Sequence, residues 1–409
     1  MTATALKPIA ATDSDVWCPD GGFRSETLPG WTYHHAEFFA LEKENLFLTS
    51  WQLVCHVSEV AKPGDFATLT LLGERALVVR GEDGTLRAFY NVCRHRAAAV
   101  ATGDSGRCDG HLRCPYHGWV YGLDGHLKAV PGQQSFPEMD KAEYGLTPLA
   151  LEVFQGFVFV NFAGSRGPSV ADRMAPYAEE LLPYRLEEME PFDVNYGHDI
   201  EVDWKNVMDN FLEGYHVPVG HPGLYRLFGT RYEAEAAPNG VSRAIHWLRD
   251  KPSENWSERH YQTLLPELDH LPEDRRRAWA YYILLPNVAI DVYCDHVDVF
   301  HVIPVAPGKC RYRGRSYRLP NPSRPLKAAQ YLNRRINTQV QREDEELVAS
   351  VQEGLASRSY VSGILSEKEI CLRQFHHVVR EALPVSRLPR APERGTMAQA
   401  NAALAAVMD

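Results

Sequence analysis

Two short stretches carry residue types that can hold metal. Cys93-Arg94-His95 and Cys114-Pro115-Tyr116-His117 each set one thiolate and one imidazole close together in the chain. Such a set suits a 2Fe–2S cluster, with the two cysteines on one iron and the two neutral histidines on the other, which raises the reduction potential above that of an all-cysteine cluster. A zinc site of two cysteines and two histidines is the alternative. The C-x2-H half is ordinary for zinc, whereas C-x-H is cramped for two ligands of one tetrahedral ion. Cys18, Cys55, Cys294, Cys310 and Cys371 lack such neighbours and read as buried apolar thiols, and Cys108 as a loop residue.

Residues 203 to 222 make a second candidate. Residues 203 to 217 suit a helix on which Asn206, Asn210 and Glu213 share a face, with His216 three residues further on. Pro218 and Gly220 end that helix, and the reversing chain brings His221 towards His216. Two histidines and one carboxylate on one face of an octahedron leave neighbouring positions open, as non-haem iron(II) needs in order to meet dioxygen and substrate together. Glu343, Asp344, Glu345 and Glu346 are candidates for the carboxylate, although a charge run is usually a solvated helix face. His34, His35, His296, His301, His376 and His377 read as packing or surface residues.

These residues need elements to position them. Phe38, Leu41, Leu46 and Phe47 give a short helical face ahead of Trp51. From Trp51 to Phe162 short β-branched runs alternate with turn signals such as Glu82-Asp83-Gly84, which predicts an all-β domain. Ala163 to Val170 is small and polar with Gly and Pro, and is the expected boundary. Beyond it, 278–285, 288–293, 297–305 and 311–318 read as successive antiparallel strands, and residues after Pro325 to Ser357 as a long helix. The expected division is an N-terminal segment 1–45, a cluster domain 46–163 and a second domain 164–409, an α+β protein. The Ala-rich tail at 397–406 reads as a frayed helix or a docking segment.

Composition narrows the function classes. The 409 residues carry a formal charge of −10, and the basic run Arg275 to Arg277 follows directly on Glu273 and Asp274, so nucleic acid and anionic membranes are poor partners. Met1 to Val16 has no apolar core of signal-peptide length, and the longest strongly apolar stretches, such as Ala280 to Leu285, are strand-sized. A cytoplasmic protein is expected. There is no Gly-x-Gly-x-x-Gly after a strand, so NADH would act only indirectly, through a separate flavin or iron–sulfur reductase.

Cys-Arg-His-Arg at 93–96 and Cys-Pro-Tyr-His-Gly-Trp at 114–119 resemble the Rieske domain of ring-hydroxylating and demethylating oxygenases. Respiratory Rieske proteins add two disulfide cysteines, where this chain has Ala98 and Tyr116. Residues 203–222 resemble the mononuclear iron motif of the same oxygenase alpha subunits. The resemblance implies an all-β Rieske domain ahead of a helix-grip catalytic domain with a curved antiparallel sheet. It implies a Rieske cluster on Cys93, His95, Cys114 and His117, and iron(II) on His216 and His221. The family's Asp-x-x-Leu-Val pattern selects Asp344 as third ligand. Glu213 falls where the family has an acid that links His117 of the partner subunit to His216. Many relatives have Asp there, and Glu is similar to the branch acting on quaternary ammonium compounds such as carnitine and glycine betaine. A homotrimer is implied, because neighbouring chains complete that path.

The expected reaction is oxidative N-demethylation with dioxygen, releasing formaldehyde from stachydrine, N-methylproline or a betaine. Ring hydroxylation of a benzoate or salicylate is the alternative, and a Rieske electron carrier or redox sensor is the alternative outside enzymes. Trp279, Tyr281, Ile283 and Leu285, with Tyr293, Phe300, Trp247 and Trp256, read mostly as core, with a minority available for an aromatic cage around an ammonium group. No substrate-binding residue is assigned.

Overall fold

Leu72 and Gly73 join the strands Asp65–Leu71 and Glu74–Arg80, and both have positive φ (50° and 91°), the pattern of the tight hairpin turns that match strand twist. The computed structural model describes residues 23–165, 167–193 and 196–407, so Cys18 and the Met1 to Val16 reading lie outside the described residues. This hairpin is the centre of a four-stranded antiparallel sheet, in the order Leu86–Tyr90, Glu74–Arg80, Asp65–Leu71, Ser105–Arg107. A three-stranded sheet of His111–Arg113, Val120–Gly122 and Leu127–Ala129 faces it across Leu77, Val79, Phe89, Leu112, Trp119 and Tyr121. A third small sheet pairs Gln52–His56 with Phe157–Asn161, and that strand with Ala150–Phe154.

After the turn at residues 162 and 163, Ser169 caps the helix Val170–Met174, and the chain enters an eight-stranded antiparallel sheet. Its path runs Glu190–Pro191, Lys309–Arg318, Val297–Ala306, Val288–Val292, Ala278–Leu284, Val241–Trp247, Tyr232–Ala237, with Asp199–Ile200 also on Lys309–Arg318. The four expected strands are present. The hairpin of Tyr232–Ala237 and Val241–Trp247 was not expected: its first strand, Tyr-Glu-Ala-Glu-Ala-Ala, is built from helix formers, and pairing with its neighbour overrides that preference. Asn239-Gly240, with Gly240 at φ 73°, was the turn signal that marked it.

The long helix Arg324–Leu355 begins with the Ser323 hydroxyl accepting from Leu326 N (3.3 Å) and Pro325 in its first turn. It lies along the helices Trp256–Leu264 and Trp204–Phe211. The tail is a helix, Met397–Ala405, docked by buried Met397 and by Asn401 Oδ1 accepting from Val385 N (3.1 Å). The two β-rich halves share one apolar cluster, with Val54, Leu69 and Val78 beside Ile283, Val302 and Ile303, and polar contacts join them as well. Gln52 Oε1 accepts from Asn287 Nδ2 (3.2 Å) and His301 Nε2 (3.0 Å), and Tyr317 donates to Glu59 Oε1 (2.5 Å). The α+β fold with antiparallel sheets is the one expected. No helix among the described residues is long and apolar enough to cross a membrane.

Candidate metal centres and the adjoining cavity

The two cluster loops are built alike. Cys93 N donates to Ala98 O (2.8 Å) and Ala97 N to Cys93 O (3.0 Å); Cys114 N donates to Trp119 O (2.8 Å) and Gly118 N to Cys114 O (3.1 Å). The fourth residue after each cysteine has positive φ, 59° at Ala97 and 73° at Gly118. Both thiols are buried, and the His95 and His117 rings lie 4.5 Å apart between centroids. His95 stacks on Trp119 at 4.9 Å and 5°, and Asn91 Oδ1 accepts from Val100 N and Ala101 N to fix the first loop. Tyr121 hydroxyl lies 3.2 Å from Cys93 Sγ and accepts from Arg94 N (3.0 Å).

These four side chains fit a Rieske cluster. Burial raises the Cys93 thiol, so a thiolate there calls for a cation, and His95 Nδ1 is buried with no hydrogen-bond partner. The thiols face the core while His117 is exposed, with Tyr116 beside it at 56% exposure. Cys55, Cys294, Cys310 and Cys371 are buried and Cys108 half-buried, as expected.

The helix expected over 203–217 is shorter. It spans Trp204–Phe211, with Asp203 Oδ1 accepting from Lys205 N, and stops because the chain turns at Glu213-Gly214. Glu213 therefore lies after the helix and not on its face with Asn206 and Asn210. Its carboxylate accepts from Tyr215 N and His216 N and sits 2.5 Å from His216 Nδ1, satisfying the amides that the helix would have used. Pro218 does not end a helix; it falls in the first turn of a new one, Val217–Gly220, and His221 then precedes Pro222–Phe228. This double turn brings the two imidazoles to 5.0 Å between centroids.

Asp344 arrives from the long helix. Its Oδ1 is 2.9 Å from His221 Nε2 and 3.7 Å from His216 Nε2, and one atom from each residue of this trio lies within 4.8 Å of the others. Two nitrogens and a carboxylate oxygen converging from separate turns fit a mononuclear iron. The neighbouring acids separate by environment. Glu343 Oε2 meets the far nitrogen of His221 at 2.8 Å, Glu345 pairs with His198 (3.0 Å), and Glu346 is exposed. Burial alone would lower the His221 pKa, but Asp344 and Glu343 raise it on balance. Asn206 Nδ2 donates to Val348 O (2.8 Å), one turn below Asp344, and so sets the long helix against the histidine segment.

A cavity of about 170 Å³ opens beside this trio, walled by Phe211, Tyr232, Tyr281, Tyr293, Phe300 and Tyr312 and by the acids Asp291 and Asp298. Of the residues considered for a cage, Tyr281, Tyr293 and Phe300 line it. Trp247, Trp256 and Trp279 do not; Trp256 is 54% exposed on a helix. Tyr121, Asp291 and Asp298 carry no role in the sequence reading, and Glu343, there one of four candidate ligands, stands instead behind His221. Asp291 and Asp298 had a signal, an acid in otherwise apolar strand text (Val-Ala-Ile-Asp-Val and Val-Asp-Val-Phe).

Residues 50–146 match the Rieske 2Fe-2S domain and residues 186–384 the ring hydroxylating alpha subunit catalytic domain. The carnitine monooxygenase oxygenase subunit of Escherichia coli (strain K12) is 36% identical over 199 residues, 48% of this chain and 53% of that one, so the chain spans about half the length of these relatives in the match. Choline monooxygenase, chloroplastic, of Beta vulgaris is 30% identical over 365 residues, covering 87% of this chain and 77% of that one. Among solved structures, a quaternary ammonium Rieske monooxygenase superposes with a TM-score of 0.74 at 27% identity, over 87% of this chain and 95% of that one. Naphthalene 1,2-dioxygenase from Rhodococcus sp., at 19% identity and a TM-score of 0.70, shares the fold. With both domains matched and the choline monooxygenase likeness running through most of each chain, the protein belongs to the Rieske non-haem iron oxygenases, oxidoreductases that combine a Rieske cluster with a mononuclear iron and dioxygen.

Proposed function

We propose that the protein is the terminal oxygenase of a reductase-fed system that oxidises an N-methyl carbon of a quaternary or tertiary ammonium compound. The observation that carries this reading is the cavity: its wall of aromatic faces adjoins His216, His221 and Asp344, and such faces attract methylated ammonium groups. Relatives named for carnitine and choline support the same substrate class. Dioxygen, two electrons and two protons convert the N-methyl group to N-hydroxymethyl and water; the C–N bond then breaks, the electron pair stays on nitrogen, and formaldehyde leaves.

In this reading Cys93, His95, Cys114 and His117 hold the cluster, and His216, His221 and Asp344 hold the iron. When bound, the cluster supplies single electrons and the iron supplies the site of dioxygen activation. The chain's own groups do the rest. Glu213 fixes the Nδ1 proton of His216, and Glu343 does the same for His221, which leaves each Nε2 free to ligate. Aromatic walls exclude water around the methyl groups. Glu213 is the link between His216 and His117 of the partner subunit in a homotrimer; the exposure of His117 supports this, and inter-subunit electron transfer is described for the solved quaternary ammonium relative.

The test is turnover with a flavin or iron–sulfur reductase and NADH across choline, carnitine, stachydrine, N-methylproline, benzoate and salicylate. Formaldehyde matching the substrate consumed is expected from ammonium compounds. A hydroxylated ring without formaldehyde overturns demethylation in favour of ring hydroxylation. Iron content no greater than the cluster's own, in a fully loaded preparation, overturns the oxygenase in favour of an electron carrier. Light scattering that gives a monomer overturns the trimer.

A further inference from the structure

The cavity holds two acids that the iron trio leaves unused. Asp291 and Asp298 are direct partners on the adjacent strands Val288–Val292 and Val297–Ala306. The same cross-strand row continues through Tyr281 and Ala244, so four successive strands each turn one residue into the cavity. Carboxylates placed directly opposite one another cost a sheet stability, and a fold that keeps them is keeping a site. Asp291 is 6% and Asp298 9% exposed, and the Oδ1 of each is without a hydrogen-bond partner.

The two acids differ in what stands behind them. Asp298 Oδ1 has His296 Nε2 at 3.4 Å, too poorly aligned for a hydrogen bond but close enough for charge. Burial would lower the His296 pKa, yet Asp295, whose Oδ2 is 2.9 Å from Nδ1, and Asp298 hold it at about 10, so the ring is an imidazolium. On Asp291 the same His296 acts only as the smallest of three effects, lowering the pKa. Burial first, and then Asp298, raise its carboxyl well above the usual range. An empty cavity thus favours the neutral acid, and an entering cation favours the carboxylate. No lysine or arginine lines the cavity.

We infer that Asp291, backed by Asp298, is the specificity-determining anion for the substrate's ammonium head, and that the substrate is a small ammonium cation without a carboxylate of its own. This rests on the ammonium-oxidising reading and narrows it. A zwitterion such as a betaine would bring a carboxylate into a small space that already holds two acids, each with an unpartnered Oδ1, and no lysine or arginine. The cavity's 170 Å³ is below the roughly 300–1,000 Å³ of drug-sized sites, so little room remains to keep that carboxylate apart.

Binding and turnover test this separately. Tetramethylammonium and choline should raise the melting temperature of the wild-type holoenzyme, by mass action on the folded state, and glycine betaine and carnitine should not. Wild-type kcat/KM for choline and its tertiary amine should exceed that for the zwitterions by about 10-fold or more, one mismatched buried charge being worth at least that. Asp291→Asn should raise KM for the cations by about 30-fold and abolish tetramethylammonium binding, with the cluster's visible absorbance and iron content unchanged. Asp298→Asn should do the same more weakly, because His296 already offsets that charge. Failure of tetramethylammonium to bind wild type, preference for zwitterions, or unchanged binding in Asp291→Asn each overturns the inference. Formaldehyde decides the broader reading on its own: tetramethylammonium binding with no ammonium compound demethylated supports the cation site and overturns the demethylase.

Discussion

Cys93 and His95 share one loop and Cys114 and His117 another, and each loop closes on itself through the same pair of backbone bonds. His216, His221 and Asp344 have no such closure. The histidines come from two turns after a short helix, Asp344 from a helix 123 residues further on than His221, and their approach depends on Asn206 reaching Val348 O. A local site is insensitive to distant packing, whereas an assembled one moves with the seam between its elements. Both supply histidine, and the assembled one opens to a cavity.

The sharpest way to break this contrast is to remove one ligand from each side. Cys114→Ser should abolish the cluster's visible absorbance, and Asp344→Ala should leave that absorbance intact while mononuclear iron is lost. Both should lower turnover by about 10³-fold or more, measured beside iron content. Joint loss of both centres from Asp344→Ala would contradict their independence.

The groups behind the histidines come next, with effects of about 10–100-fold. Glu213→Gln should keep both centres loaded and slow electron transfer in single turnover. Glu343→Gln should weaken iron binding, measured by competition with a chelator, and spare the single-turnover rate of enzyme reloaded with iron. Equal behaviour of the two variants would show that Glu213 only positions its histidine.

The seam between the halves has its own pH signature. His301 is buried against Gln52, and its pKa is pushed from 6.5 down to about 3 by burial and then by Arg313. Below 6.5 the unfolded chain takes a proton that the folded one refuses. The contribution is therefore intact above pH 6.5 and is lost as pH falls towards about 3, at about 1.4 kcal/mol per pH unit. His301→Gln should flatten that slope in denaturant titrations between pH 4 and 6.5; an unchanged slope would assign acid sensitivity elsewhere.

The smallest effects compare the two cluster loops with each other. Gly118→Ala would put a Cβ 3.3 Å from Pro131 Cγ at a φ of 73°, at a cost of about 1–2 kcal/mol. Ala97→Gly, at the matching position with φ 59°, should be neutral or stabilising by up to about 1 kcal/mol. Thermal melts of the loaded protein check both, and equal costs would mean that the loops are not equivalent.

Local and assembled sites also differ in how far they are legible in the sequence. Ligand spacing in the cluster loops is a local property, because the bonds from Cys93 to Ala98 and from Cys114 to Trp119 join residues close in the chain. The four strands of 278–318 and the helix after Pro325 were legible for the same reason, since periodicity and turn residues act over short range. The helix break after Phe211 was hidden, because an ordinary Glu213 takes the amides that would have continued the helix.

By itself the sequence determined the candidate ligand types, their grouping, and the β-rich and helical segments that carry them. Only the tertiary structure decided that Glu343 backs His221 while Asp344, the acid the family pattern selects, faces both histidines, and that Asp291 and Asp298 meet across two strands beneath an aromatic wall. Helix register against a distant segment and strand pairing across a sheet are set by packing between elements. No spacing along one chain encodes which side chains that packing turns into the same cavity.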